Sequence, residues 1–225
     1  MDLVIHKDAS TVAEAVAEQI AKLVAATESE RFSLGLAGGS TPAATYRILR
    51  DSSLDWSKVD AWLSDERWVP LNDARSNGRQ AAETLLDHVS ATFHRPIWNK
   101  HDPEESATSY ETQIRSIHPG REPDLVLLGM GPDGHTASLF PGTAALDERD
   151  RWFVANEVPQ HNETRITATY SLLWVANHII FLIVGHDKAE ALRDSFAGVT
   201  PAGRVGEGDA QVEWHVDSAA ASLLN

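Results

Sequence analysis

The chain has 225 residues, no cysteine and a formal net charge of -14, a length that supports one large α/β domain spanning 1–225 with no Pro/Gly/Ser-rich linker to divide it. Lack of thiols excludes a disulfide frame, a cysteine nucleophile and a thiolate metal site, and the acidic balance argues against nucleic acid and against anionic membranes as partners. No apolar run approaches the roughly 18 residues of a membrane span, and Glu14 and Glu18 in the first helix-like segment leave no secretion signal, so a cytoplasmic protein is expected.

Asp2–His6 reads as a short strand. Ser10–Thr27 follows as a helix, with Val12, Val16, Ile20, Leu23 and Val24 at helical spacing and a capping box formed by Thr11 and Glu14. The strand Arg31–Leu36 runs into Ala37-Gly-Gly-Ser-Thr-Pro42 and a helix through Leu49, with Pro42 at the first helical position and Ser40 or Thr41 as the cap. A glycine loop that opens a helix presents free N–H groups at the positive end of the dipole, which makes Gly38, Gly39, Ser40 and Thr41 candidate phosphate ligands. A plain strand-to-helix turn uses the same residues.

Val59–Leu63 is a third strand, and Ser64-Asp-Glu-Arg67 sits at its end. Such a charge run is a solvated loop or a local ion pair in the bland reading; at a strand terminus Asp65 becomes a substrate contact and Arg67 a forked donor set for phosphate or carboxylate. The loop continues through Pro70, Asn72 and Asp73 into a helix ending near Leu86, with Asn77 near its start as a cap in preference to a substrate contact. Residues 94–101 show no period. Pro103-Glu-Glu105 opens a helix to about Ile117, which Pro119-Gly120 ends.

Asp124–Leu128 is a short apolar run without polar alternation, suited to a strand buried on both faces of a parallel sheet. Gly129-Met-Gly-Pro-Asp-Gly134 then gives a backbone able to turn sharply and approach a ligand, and His135 follows at once. In a doubly wound sheet the ligand crevice lies beyond the carboxyl ends of the strands, so Asp133 and His135 there form a candidate proton-transfer pair. The alternative is a turn with an incidental surface histidine.

Arg151–Ala155 reads as a strand, Arg165–Thr169 as an alternating strand, Ser171–Ala176 as a short helix and His178–Val184 as a buried strand. After Gly185, His186–Leu192 opens a helix with Lys188 in its first turn, an unfavourable place for a cation unless an anion lies between it and the dipole. Asp187 and Glu190 offer local neutralisation instead. Gln211–Val216 and Asp217–Leu224 complete the chain as a strand and a helix.

Four strand-like runs thus end in the turns Gly38–Thr41, Asp65–Arg67, Gly129–His135 and Gly185–Lys188, and parallel strands bring such turns to one edge. The expected architecture is a doubly wound, mostly parallel, Rossmann-like sheet with helices on both faces. Its combined edge suits a sugar phosphate and an acid/base group. The G-x-x-x-x-G-K-[ST] loop is absent, Gly129-Met-Gly131 lacks the third glycine of a dinucleotide site, and compact metal spacing is missing, so neither cofactor nor metal is expected.

Three blocks, LAGGSTP at Leu36–Pro42, SDERWVP at Ser64–Pro70 and GMGPDGHTASLFPGT at Gly129–Thr143, together with Arg165-Ile-Thr167 and Val184–Ala189, resemble the 6-phosphogluconolactonase family over nearly the whole chain. That family lies within the larger glucosamine/galactosamine-6-phosphate isomerase superfamily, and the resemblance implies a glucosamine-6-phosphate deaminase-like fold. It further implies hydrolysis of 6-phospho-D-glucono-1,5-lactone to 6-phospho-D-gluconate in the pentose phosphate pathway. His135 would be the general base and Asp133 its partner, with Gly38, Gly39, Ser40, Thr41, Arg67 and Lys188 on the phosphate and Arg165 at the carboxylate-forming end or the phosphate. The deaminase pattern has a tyrosine where Arg67 stands and a glutamate where Phe140 stands, which argues against aminosugar-6-phosphate isomerase or deaminase chemistry. A non-catalytic sugar-phosphate sensor would not need Asp133 and His135, and no basic helix-turn-helix precedes the domain. Trp174 departs from the pattern, which often has asparagine there. The expected assembly is a monomer or weak homodimer.

Overall fold

The computed structural model describes residues 2–224, so Met1 and Asn225 of the expected 1–225 domain lie outside the described residues. The strands are β1 (Asp2–His6), β2 (Phe32–Leu36), β3 (Val59–Leu63), β4 (Asp65–Arg67), β5 (Thr92–His94), β6 (Leu125–Leu128), β7 (Phe153–Val158), β8 (Glu163–Ala168), β9 (His178–Ile183) and β10 (Gln211–Asp217). The helices are α1 (Ala9–Ala26), α2 (Ser40–Arg50), α3 (Asn77–Thr84), α4 (Pro103–Ser116), α5 (Tyr170–Leu173) and α6 (Ala189–Phe196). No described helix is long and apolar enough to cross a membrane.

Seven strands form one sheet in the order β1-β10-β9-β6-β2-β3-β5, every neighbouring pair parallel. Alternate residues of the central strands feed two cores, as the period of two along a strand requires. Leu125 and Leu127 of β6 and Ile180 and Leu182 of β9 pack with Val12, Val16 and Ile20 of α1 and Tyr46 and Leu49 of α2. Val126, Leu128, Ile179, Phe181 and Ile183 face the other way, toward Tyr110 and Ile114 of α4 and Leu192 of α6. The winding changes direction at β2, whose neighbours are β3 on one side and β6 on the other. A doubly wound sheet opens its ligand crevice at such a switch point.

A second sheet was not foreseen. β4, β8 and β7 form a three-stranded antiparallel sheet in that order, and Ser64 joins the two sheets by donating to the Leu36 carbonyl and accepting from Ala168 N–H. Ser64–Arg67 is therefore no solvated loop: Asp65 and Glu66 are buried in β4.

Several boundaries are corrected. The capping box of α1 uses Asp8 and Thr11, since Asp8 Oδ1 accepts Thr11 N–H at 3.0 Å, so Glu14 takes no part. Gly39 caps α2 without a side-chain bond, which puts Ser40, Thr41 and Pro42 inside the helix. Ser76, whose Oγ accepts Arg79 N–H at 3.0 Å, caps α3, and Asn77 does not. The chain ends in a short 3-10 turn at Ala220–Leu223 in place of a helix over 217–224.

Candidate active site

The loops after β2, β6 and β9 meet the edge of the small sheet around a cavity of about 290 Å³. Gly38, Gly39, Ser40, Thr41, Asp65, Arg67, His135, Arg165 and Lys188 all line it, and of the ten residues singled out from the sequence only Asp133 does not. Asp133 touches the cavity through His135, whose Nδ1 lies 2.6 Å from Asp133 Oδ1. Two residues that the sequence reads otherwise also belong to the site, Asn77, expected as a cap, in the wall and Phe140 behind it.

The β6 loop presents the imidazole by local bonds. Gly131 N–H donates to the His135 carbonyl at 2.9 Å and His135 N–H to Asp133 Oδ1 at 3.2 Å, folding residues 131–135 into a closed turn. The ring lies so close over Gly131 that a Cβ there would sit 2.1 Å from it, so only glycine fits. Behind the ring, Phe140 stacks at 3.9 Å between centroids and 24° between planes. Phe140 is fully buried, while the His135 side chain keeps 22% exposure toward the cavity.

Burial holds the imidazole below its usual range, against the pull of the Asp133 carboxylate. Burial pushes the Asp133 carboxyl up, but the hydrogen bond and charge of His135 outweigh it and hold that group below the usual carboxylate range. Asp133 thus stays ionised and His135 neutral near pH 7. With Nδ1 committed to Asp133, the Nε2 lone pair is the one left for a proton.

The cations come from the small sheet. Arg67 of β4 and Arg165 of β8 are directly opposite in the antiparallel register, which puts both side chains on one face. Like charges so placed repel, and an anion between them relieves the cost. Arg165 is held by Glu163 at 3.0 Å, stands 3.7 Å from Asp65, and lies 5.3 Å from the Phe140 ring centre, so one aromatic plate backs both it and His135. Arg67 has no carboxylate partner among the described residues: its Nη1 donates to the Arg75 carbonyl at 2.8 Å and to Asn77 Oδ1 at 2.5 Å. Nε of both arginines is buried with no partner among the described residues.

The third cation, Lys188, reaches the same cavity from the 3-10 turn His186–Lys188 and pairs with exposed Asp187 at 3.0 Å. Asp187 thus supplies the local neutralisation, without Glu190, and Lys188 still lines the cavity. Parallel strand ends do not by themselves gather the cations, because two of the three sit on antiparallel strands, β8 being joined by a hairpin to β7. Trp174 lies outside the cavity lining; its indole donates to the Arg204 carbonyl at 3.0 Å and stacks on Tyr170.

Glu66 faces away from the cavity and anchors β4 to α3. Its carboxylate accepts N–H bonds from Arg67, Asn77 and Gly78 and the Ser76 hydroxyl, at 2.7–2.8 Å. Burial nevertheless raises Glu66 above the usual carboxylate range.

A sequence profile described as Glucosamine-6-phosphate isomerases/6-phosphogluconolactonase matches residues 7–214. A 6-phosphogluconolactonase of Rhizobium meliloti (strain 1021) is 38% identical over 201 residues, covering 86% of each chain. The solved structure of a 6-phosphogluconolactonase from Thermotoga maritima superposes with a TM-score of 0.85 at 29% identity, covering 96% of this chain and 99% of that one. A monomeric glucosamine-6-phosphate deaminase superposes with a TM-score of 0.86 at 24% identity over 99% of this chain, a likeness of fold alone.

Proposed function

The chain belongs to the glucosamine-6-phosphate isomerase/6-phosphogluconolactonase family, and from that membership we propose that it hydrolyses 6-phospho-D-glucono-1,5-lactone to 6-phospho-D-gluconate, a step of the pentose phosphate pathway. The observation that carries this reading is the His135 imidazole, bonded through Nδ1 to Asp133 and lining a cavity that Arg67, Arg165 and Lys188 also line.

In this mechanism the phosphate sits on the β2 loop, Arg67 and Lys188. The Ser40 and Thr41 N–H groups are the first donors of α2, where no earlier turn supplies acceptors and the dipole is positive. Anchoring that end aims the lactone at His135, which is the proximity contribution. His135 Nε2 takes a proton from water as its oxygen bonds to C1. Electrons move onto the carbonyl oxygen, and Arg165, beside the base across Phe140, faces the developing charge. Collapse breaks the C1–ring oxygen bond, and the imidazolium returns its proton to that oxygen, leaving a hydroxyl and a carboxylic acid that ionises. Asp133 stabilises the transient imidazolium and fixes the tautomer. Phe140 supports hydrolysis over aminosugar ring chemistry, because a phenyl ring transfers no proton. The protein works as a monomer or weak homodimer in the cytoplasm, and its charge of -14 repels nucleic acid.

The test is a pH-stat or coupled assay with freshly prepared lactone, corrected for spontaneous hydrolysis. Enzyme-dependent acid release is expected. Ammonia from glucosamine 6-phosphate would replace this reading with the deaminase, and ligand binding without turnover would replace it with a sensor.

A further inference from the structure

Asn77 is the first residue of α3 and is 2% exposed. Its amide works on both sides. Nδ2 donates to the Asp65 carbonyl at 2.9 Å and to Asp65 Oδ1 at 3.0 Å, while Oδ1 accepts the Arg67 Nη1 hydrogen at 2.5 Å. We propose that Asn77 is a positioning residue that stands between the Asp65 carboxylate and the Arg67 guanidinium and so keeps Arg67 free to grip the substrate's phosphate.

Asp65 and Arg67 are two apart on one short strand, so their side chains share a face. Opposite charges placed so close on a partly buried face pair with each other unless something intervenes, and a direct pair would occupy the donor edge that an oxyanion needs. A primary amide is suited to the gap because one planar group carries both an acceptor for the cation and donors for the anion. Asn77 and the Arg75 carbonyl both take Nη1. Among the described residues Nη2 takes no partner, so it is the guanidinium donor left for a phosphate oxygen, while Nε lies buried behind it.

Two further contacts fix the amide. Its own backbone N–H donates to Glu66 Oε1 at 2.7 Å, and Ser76 caps the helix just before it. From the other side the β2 loop rests on it. A Cβ built on Gly38 would lie 1.9 Å from Asn77 Oδ1 and 2.3 Å from Cγ, and its three nearest atoms all belong to the Asn77 side chain. Gly38 therefore seats the phosphate loop against the same amide that holds Arg67, and a methyl group at Gly38 displaces that amide without touching anything nearer.

This inference rests on the reading of the cavity as a phosphate site, and its test separates the two. Steady-state kinetics with the lactone, calorimetric titration with 6-phosphogluconate and thermal melting are run on the wild type, Asn77→Asp, Asn77→Ala, Gly38→Ala and the Asn77→Ala/Gly38→Ala double variant. Asn77→Asp supplies Arg67 with a counter-charge and is expected to raise KM by about tenfold or more, the worth of one charge-assisted hydrogen bond, with kcat changed far less and the acid limb of the pH profile in place. Gly38→Ala is expected to act in the same direction by pushing the amide aside. In the double variant the methyl fills the vacated space, so the two changes are expected to be no worse together than Asn77→Ala alone.

An unaltered KM in Asn77→Asp, or a drop in kcat with KM constant, overturns the proposal. So does full additivity in the double variant. Should Asn77→Ala fail to fold, Gly38→Ala and Asn77→Asp carry the same comparison. A wild type that binds 6-phosphogluconate without turning over lactone, and binds it more weakly once Asn77 is changed, sinks the lactonase reading and leaves the positioning role standing.

Discussion

Strands β6 and β4 are both buried, and opposite chemistries hold them there. Leu125–Leu128 are all 0% exposed among other hydrocarbon side chains, each contributing through the area it removes from water. Asp65 and Glu66 of β4 are nearly as deeply buried, at 7% each, yet bring carboxylates that survive only because hydroxyl, amide and backbone donors meet them. Apolar packing is forgiving of detail, whereas a buried carboxylate is costly once a single partner is lost. The large sheet can therefore serve as a rigid floor that carries His135, while the small sheet holds cations in a geometry that depends on every bond around it.

The largest effect expected is chemical. His135→Ala should lower kcat by about 10² to 10⁴, the usual worth of general-base assistance, with only a modest change in KM. Steady-state assays on the purified variant check it, and an unaltered kcat would remove His135 from the mechanism.

Next in size is a test of the polar region itself. Glu66→Ala leaves three backbone N–H groups and one hydroxyl without their acceptor, which should cost about 3 kcal/mol of stability by denaturant titration. Because Glu66 fixes β4 against α3, KM should rise as well. Ile180→Val in β9, fully buried in the opposite core, should cost only about 1 kcal/mol and leave kcat and KM where they are. A Glu66 variant as mild as the Ile180 one would erase the distinction between the two regions.

The same contrast explains what could be foreseen. Apolar runs such as Leu125–Leu128 and Ile179–Ile183 announce buried strands locally, and Pro103-Glu-Glu105 behind Asp102 announces α4, whose cap Asp102 proves to be. The β4 strand carries no local signal, because three charged residues become strand only through partners far along the chain: Glu66 through Ser76–Gly78, Asp65 through Ser138. Strand β5, one exposed and two half-buried residues at a sheet edge, is silent for want of an apolar period. Within the site, the Asp133–His135 pair is legible as a motif because its bonds are short-range, and the glycine loops are legible by composition alone. Asn77 reads locally as a cap, but the serine just before it takes that place and leaves the asparagine side chain for other work. Phe140 was read only for what it cannot do; its stacking on His135 is a tertiary fact.

The smallest expected effect is a shift of pH dependence, and it probes where the two regions touch. Phe140 lends its face to His135 of the large sheet's loop and to Arg165 of the small sheet. Burial is the leading influence on the imidazole and holds it below its ordinary value of about 6.5, so the ring is neutral above that lowered pKa, and the proposed base is lost as pH falls through it. Phe140→Leu admits water beside the ring, which favours the protonated form and should move the acid limb of kcat/KM to higher pH. Asp133→Asn removes the anion that works against burial, and should move the same limb to lower pH while reducing kcat. Opposite displacements in one set of pH–rate profiles would assign desolvation and charge to separate residues. Displacements of the same sign would mean that both substitutions act by loosening the β6 loop, and that the stacked ring is packing alone.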